Sequence, residues 1–278
     1  MPAGLGTSPD HPDMFDWWVI YLLMGLAVGF FAGMLGLGGG VVLVPLMVFL
    51  FSAQQFPADH VLQLALGTSL ASIVFTSLSG LHAHHKRGAV RWDIVREATP
   101  GLILGTLLGA LVAEKLPPRY LAIVFVLFVS YSAVQLFMNA EPKPSRMLPK
   151  GAGMWIAASA IGLISSLVGA GGGILTIPLM IMCNVPIRNA IGTSSALLLP
   201  IAAAGSIGYI WTGLGKEHLP PFSLGYVYLP ALIGIVVGTF VTVPWGARAA
   251  HAMPVTSLKR VFAVFILALA AKMLLDLR

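Results

Sequence analysis

The sequence predicts an all-α polytopic membrane protein made of two inverted repeats of about five helical segments each, with Gly-rich helix breaks near the membrane centre. Three observations predict it. The chain of 278 residues is 58% hydrophobic and 9% charged, against roughly 25% charged in an ordinary globular protein. No Asp, Glu, Lys or Arg occurs in 17–58, 60–85, 98–113, 120–140, 151–187, 189–215, 218–247 or 261–271, and about 20 such residues cross the hydrocarbon core as a helix. Finally, GFFAGMLGLGGGVVLVPLM at 29–47 returns as GLISSLVGAGGGILTIPLM at 162–180.

The elements follow in order. Residues 1–16 carry Asp10, Asp13 and Asp16 and no basic residue, so they lack the cationic start of a cleavable signal peptide. The first apolar segment is expected to stay as a helix. Trp17, Trp18 and Tyr21 mark its entry as an interfacial aromatic cluster. The first repeat, 1–138, is expected to hold segments at 17–35, 41–52, 61–81, 98–113 and 120–138, the last two joined by a tight turn with Pro117 and Pro118. A linker over 139–152 follows. The second repeat, 153–278, places segments at 153–168, 174–184, 189–211, 224–245 and 257–277.

Duplication extends past the glycines. Gly67-Thr68-Ser69 recurs as Gly192-Thr193-Ser194, Pro100 as Pro230, and Gly105 and Gly109 as Gly234 and Gly238, at offsets between 125 and 133. An odd number of crossings per unit makes the second copy enter from the opposite face. Charge agrees: with the N-terminus outside, loops 82–96, 139–152, 184–190 and 246–260 collect eleven of the sixteen Lys/Arg on the cytoplasmic side. Segments 41–52 and 174–184 are short enough to be re-entrant rather than spanning.

A glycine run breaks a helix at about 1 kcal/mol per residue relative to alanine, and backbone freed at membrane depth must be buried in protein or line a cavity. Paired interrupted segments in the two halves point to a transporter's substrate site. Gly38, Gly39 and Gly40, and Gly171, Gly172 and Gly173, each precede a helix start. Unpaired N–H groups and the positive end of the macrodipole make such a start a site for an anion. Thr68, Ser69, Thr193, Ser194 and Ser195 add hydroxyls. The competing reading is packing: small residues and Ser/Thr hydrogen bonds also serve close helix–helix contacts with no ligand.

Other functions fare worse. The basic residues lie in loops beside membrane segments, so no nucleic-acid partner is expected. Cys183 is the single cysteine, which excludes an intrachain disulfide and a multi-Cys metal site. His82, His84 and His85 lack further ligands nearby, and no metal or other cofactor is expected. An intramembrane enzyme would need a buried acid, His or metal constellation, and none is present. No Asp or Glu lies in an expected span, where a proton relay would use one. An uncoupled anion channel and a non-transporting scaffold remain as alternatives. The lipid bilayer and a small anionic substrate are the expected partners; the oligomeric state is open, a homodimer being possible.

The paired Gly-rich motifs followed by Pro, the Gly-Thr-Ser third segments and the duplicated layout resemble the TauE/SafE family over about Leu22 to Leu277. The resemblance implies a multi-pass transporter of the bacterial cytoplasmic membrane that exports a sulfur-containing anion such as sulfite, thiosulfate or an organosulfonate. The binding residues it carries over are the glycine motifs and the Thr-Ser pairs.

Overall fold

Helix α1 (Met14–Leu35) leads to the first glycine motif, after which come α2 (Gly40–Ala53), α3 (Ala58–Lys86), α4 (Trp92–Lys115) and α5 (Pro118–Met138). Then follow α6 (Ala152–Val168), α7 (Gly173–Met182), α8 (Ile187–Gly213), a two-stranded hairpin of β1 (Ser223–Leu224) and β2 (Val227–Tyr228), and α9 (Leu229–Ala252). The computed structural model describes residues 14–35, 39–138, 147–252, 263–264, 266–268 and 271–272. The protein is thus all-α and polytopic apart from the hairpin.

Among the described residues, five helices are long and apolar enough to cross a membrane, within Ala58–Lys86, Trp92–Lys115, Pro118–Gln135, Ile187–Gly213 and Leu229–Gly246. The radial distribution of side chains matches a lipid solvent. Leu104 on α4 and Leu127 on α5 are 57% and 65% exposed, while Thr68, Ser69, Thr106, Ser166 and Thr193 are wholly buried. At 1.5 Å per residue, α7, with ten residues, is about 15 Å long. That is half the hydrocarbon thickness of about 30 Å, so α7 does not cross by itself.

The crossings are set by glycine. Helix α4 lies on α6, α1 lies on α9, and α3 lies on α8. A methyl at Gly101 or Gly109 of α4 would stand 2.6 Å or 2.7 Å from a backbone oxygen of α6. A methyl at Gly25 of α1 would stand 2.6 Å from Ile235 O, and one at Gly238 of α9 would stand 2.6 Å from Leu22 O. Backbones this close are the packing that small residues allow in membranes. Helices α2 and α7 rest on α3 and α8 respectively.

Several expectations are corrected. Residues 223–228 form the hairpin instead of opening a helix at 224, and α9 starts at Leu229. Pro118 is the first residue of α5 and not part of a turn. Helix α4 reaches back to Trp92, which takes Asp93, Arg96 and Glu97 into its first turns. Tyr21 is not interfacial: it is fully buried, its hydroxyl accepts a hydrogen bond from Gln54 Nε2, and Phe51 and Tyr228 pack edge-on against it. Most of the last expected segment lies outside the described residues; within it, Lys272 Nζ sits 3.8 Å over the Phe49 ring, a cation–π contact.

Candidate functional site

Helices α2 and α7 start in the same way. Gly39 (φ 72°) and Gly172 (φ 76°) are both left-handed, a conformation that costs a residue with a Cβ about 1–2 kcal/mol. Val42 and Leu43 donate their N–H groups to Gly39 O at 3.1 Å and 3.0 Å; Leu175 and Thr176 donate theirs to Gly172 O at 3.0 Å and 2.9 Å. Pro45 and Pro178 then occupy the same position of each helix and withhold an N–H from the carbonyl four residues back. The sequence copies are local structural copies. Gly38 lies outside the described residues.

The start of α2 meets the second glycine motif inside the protein, at the end of α6. A methyl at Gly40 would lie 2.5 Å from Gly169 O and 3.0 Å from Ala170 Cα. Helix α6 ends at Gly169, also left-handed at φ 63°, with Gly169 N–H on Ser166 O at 3.2 Å and Ala170 N–H on Ser165 O at 3.1 Å. Other helices satisfy the carbonyls of that end: Ser69 Oγ donates to Gly169 O at 2.8 Å, and the Tyr209 hydroxyl donates to Ser166 O at 2.9 Å. On the far side, Ser194 Oγ is 2.7 Å from Thr176 Oγ1, which lies 3.1 Å from Gly172 O. Gly39, Gly40, Ser69, Gly171, Gly172, Gly173 and Ser194 therefore gather around the abutting turns.

Thr68 and Thr193 do something else. Thr68 Oγ1 accepts the Tyr228 N–H at 3.0 Å, and Thr193 Oγ1 accepts the Arg91 N–H at 3.0 Å. Tyr228 and Arg91 each immediately precede a helix, α9 and α4. The preceding glycines, Gly67 and Gly192, press against Tyr226 O and Ala89 O in the same two connections. Each Gly-Thr-Ser thus grips an incoming chain with Gly and Thr and turns Ser toward the breaks. Ser195 Oγ bonds back to Ile191 O at 3.0 Å.

Two hydroxyls that the sequence reading passed over stand at the second break. Ser165 is 1% exposed, its Oγ has no hydrogen-bond partner, and it lies 2.8 Å from where a methyl on Gly172 would be. Thr176 is the only polar side chain lining a pocket between α4, α6, α7 and α8, which is otherwise walled by residues such as Ile94, Leu102, Met154 and Leu197 and reaches Leu148 and Pro149. A signal for both was legible: Ser165 and Thr176 are positions where the two motif copies differ, pairing with Ala32 and Leu43.

The donors at the breaks are amides and hydroxyls, with no charged side chain among the described residues there. Charges sit at the helix ends. Lys216 Nζ pairs with Glu114 at 2.8 Å, and that carboxylate holds the Lys216 ammonium above the ordinary lysine range. Arg91 pairs with Asp93 at 2.5 Å at the exposed start of α4. His85 Nδ1 accepts from Trp92 Nε1 at 3.2 Å. Among the described residues no group of three or more His, Cys, Asp or Glu is placed to hold a metal, and Cys183 is buried at the end of α7.

A lipid-facing helical bundle whose core holds two glycine-broken helices packed at their breaks is a multi-pass membrane transporter. The chain belongs to the Sulfite exporter TauE/SafE family, whose profile matches residues 21–273. It is 34% identical over 265 residues to a "Probable membrane transporter protein" of Haemophilus influenzae, covering 94% of this chain and 100% of that one. It is 29% identical over 265 residues to the "Probable membrane transporter protein YdhB" of Bacillus subtilis (92% and 99% covered). To the "Probable membrane transporter protein MJ0441" of Methanocaldococcus jannaschii it is 26% identical over 213 residues (76% and 78% covered). No solved structure matches the chain.

Proposed function

We propose that the protein is a secondary transporter that moves a small sulfur-containing anion, such as sulfite, thiosulfate or an organosulfonate, out across a bacterial cytoplasmic membrane. The anion is held at the glycine breaks by helix-start N–H groups and Ser/Thr hydroxyls. One observation carries this: the start of α2, opened by left-handed Gly39, packs on the end of α6 that leads through Gly169 and Ala170 to left-handed Gly172 and α7, in a buried core with hydroxyls around it and, among the described residues, no cation or carboxylate. Such a site favours an anion through oriented dipoles. Thr68 and Thr193 contribute by seating α9 and α4 against the same core.

The two-repeat reading fits the packing. Under the motif offsets, α1 on α9 and α4 on α6 are equivalent pairs, as are α2 on α3 and α7 on α8. That supports two repeats, 1–138 and 153–278; the odd number of segments in each and the loop charges support their inversion, with a cytoplasmic linker over 139–152 and the N-terminus outside. Export needs no coupling ion, because an anion leaving an inside-negative cell gains about 2.3 kcal/mol per charge per 100 mV.

The test is efflux of sulfite or thiosulfate from proteoliposomes under an imposed potential. Inside-negative potential is expected to speed efflux without a proton gradient. Flux that appears only with a proton or sodium gradient, or flux of carboxylates alone, contradicts the proposal.

A further inference from the structure

We infer that the anion seat is one-sided: it forms at the start of α7, where Ser165 Oγ donates to the anion beside the N–H groups of Gly173 and Ile174, while the matching turn at α2 is a packing element. The inference rests on the glycine breaks being the transport site.

The two turns share their left-handed glycine, the carbonyl that closes the first turn and the proline. They differ in what faces them. The Ala32 methyl lies 3.2 Å from where a methyl on Gly39 would stand; in the second copy Ser165 Oγ holds that place, 2.8 Å from where a methyl on Gly172 would stand. Leu43 in the first turn of α2 is likewise replaced by Thr176 in α7. The start of α2 is also pressed against an oxygen of the protein itself, Gly169 O, next to Gly40.

Ser165 Oγ is buried with no partner. Buried hydroxyls are nearly always hydrogen-bonded, so one left single and aimed at a helix start calls for an acceptor. An oxyanion supplies one, and it also meets the positive end of the α7 dipole. Ser194 Oγ bonds Thr176 Oγ1, which in turn bonds Gly172 O; this ties the first turn of α7 to α8 and holds the seat in place. Neutral donors of this kind select an anion that is ionised before it arrives, because no side chain there takes up its proton.

The experiment measures the affinity of the purified full-length protein for sulfite and for thiosulfate, in the unaltered chain, Ser165→Ala and Ala32→Ser. A hydrogen bond to a charged group carries enough free energy that Ser165→Ala should weaken binding roughly tenfold to a hundredfold. The unliganded melting temperature of Ser165→Ala should stay level or rise, since no protein hydrogen bond is lost. Ala32→Ser should leave affinity unchanged. If the unaltered protein binds and Ser165→Ala binds equally well, or if Ala32→Ser changes affinity as much as Ser165→Ala, the one-sided seat is overturned and the transport site is not. A clear fall in the unliganded melting temperature of Ser165→Ala overturns it too, by showing that the hydroxyl has a structural partner. If the unaltered protein binds neither anion, the transport-site reading fails and the inference with it.

Discussion

Replacing Gly40 by alanine tests whether the two glycine breaks touch. The new methyl would stand 2.5 Å from Gly169 O and 3.0 Å from Ala170 Cα, where ordinary carbon contacts need about 3.5 Å or more. Both neighbours are backbone, so no rotamer change relieves the clash; α2 and the end of α6 must separate by about an ångström. Forced overpacking costs about 1–3 kcal/mol. The shift also stretches the Ser69 Oγ to Gly169 O bond of 2.8 Å, worth about 0.5–1.5 kcal/mol net. Against this stands a helix-propensity gain of at most about 1 kcal/mol. The balance is a loss of about 1–3 kcal/mol, read as melting temperature in detergent beside Gly153→Ala. Gly153 is also in a first helical turn, but a methyl there meets only Pro149 Cβ at 3.5 Å, so that variant should be neutral or slightly stabilised. If Gly40→Ala melts with or above Gly153→Ala, the breaks do not meet as described.

Three further outcomes follow. Thr68→Val and Thr193→Val each remove the acceptor of a helix-preceding N–H and should destabilise the protein by similar amounts, about 1–3 kcal/mol. Anion affinity per folded molecule should hold in both, which a binding titration checks. Transport of an anion that stays fully ionised should not change between about pH 6 and pH 8, because hydroxyl and amide donors do not titrate there; a sigmoidal pH profile for thiosulfate flux would reveal a titrating relay. The Glu114 partner raises Lys216, so their pair stabilises fully below the ordinary lysine value and is lost as pH rises through the raised one. Unfolding temperature should therefore show no Lys216-dependent change across neutral pH, and Lys216→Ala should differ from the unaltered protein less in strong alkali than at neutrality.

How much could be read in advance depended on the range of the interaction. The helix breaks were legible because Gly39 and Gly172 impose a local conformation, and the shared offset pairs them in the sequence alone. The Gly-Thr-Ser motifs were legible as repeats, but not as clamps. Thr68 and Tyr228 are 160 residues apart, and Thr193 and Arg91 are 102, so their bonds belong to the tertiary structure alone. The hairpin at 223–228 was hidden because its residues carry no charge and run straight into the apolar helix that follows, and composition does not tell a strand from a helix start. Tyr21 looked interfacial from its neighbours Trp17 and Trp18; its burial comes from Phe51 on α2, Gln54 just after it and Tyr228 on β2. Ser165 and Thr176 were visible only as mismatches between copies, and it took the fold to bring them to one helix start.

The central claim is that the glycine breaks bind a sulfur oxyanion. Thermal stabilisation of the purified protein by sulfite, thiosulfate, sulfate, sulfoacetate, taurine, phosphate, nitrate and carboxylates tests it most directly. A ligand at a hundred times its dissociation constant adds about 2.7 kcal/mol if it binds only the folded state. A selective rise with one sulfur anion, abolished in Gly172→Leu while that variant still folds, is the predicted result. No rise with any sulfur anion, or a rise with a carboxylate alone, would contradict the claim.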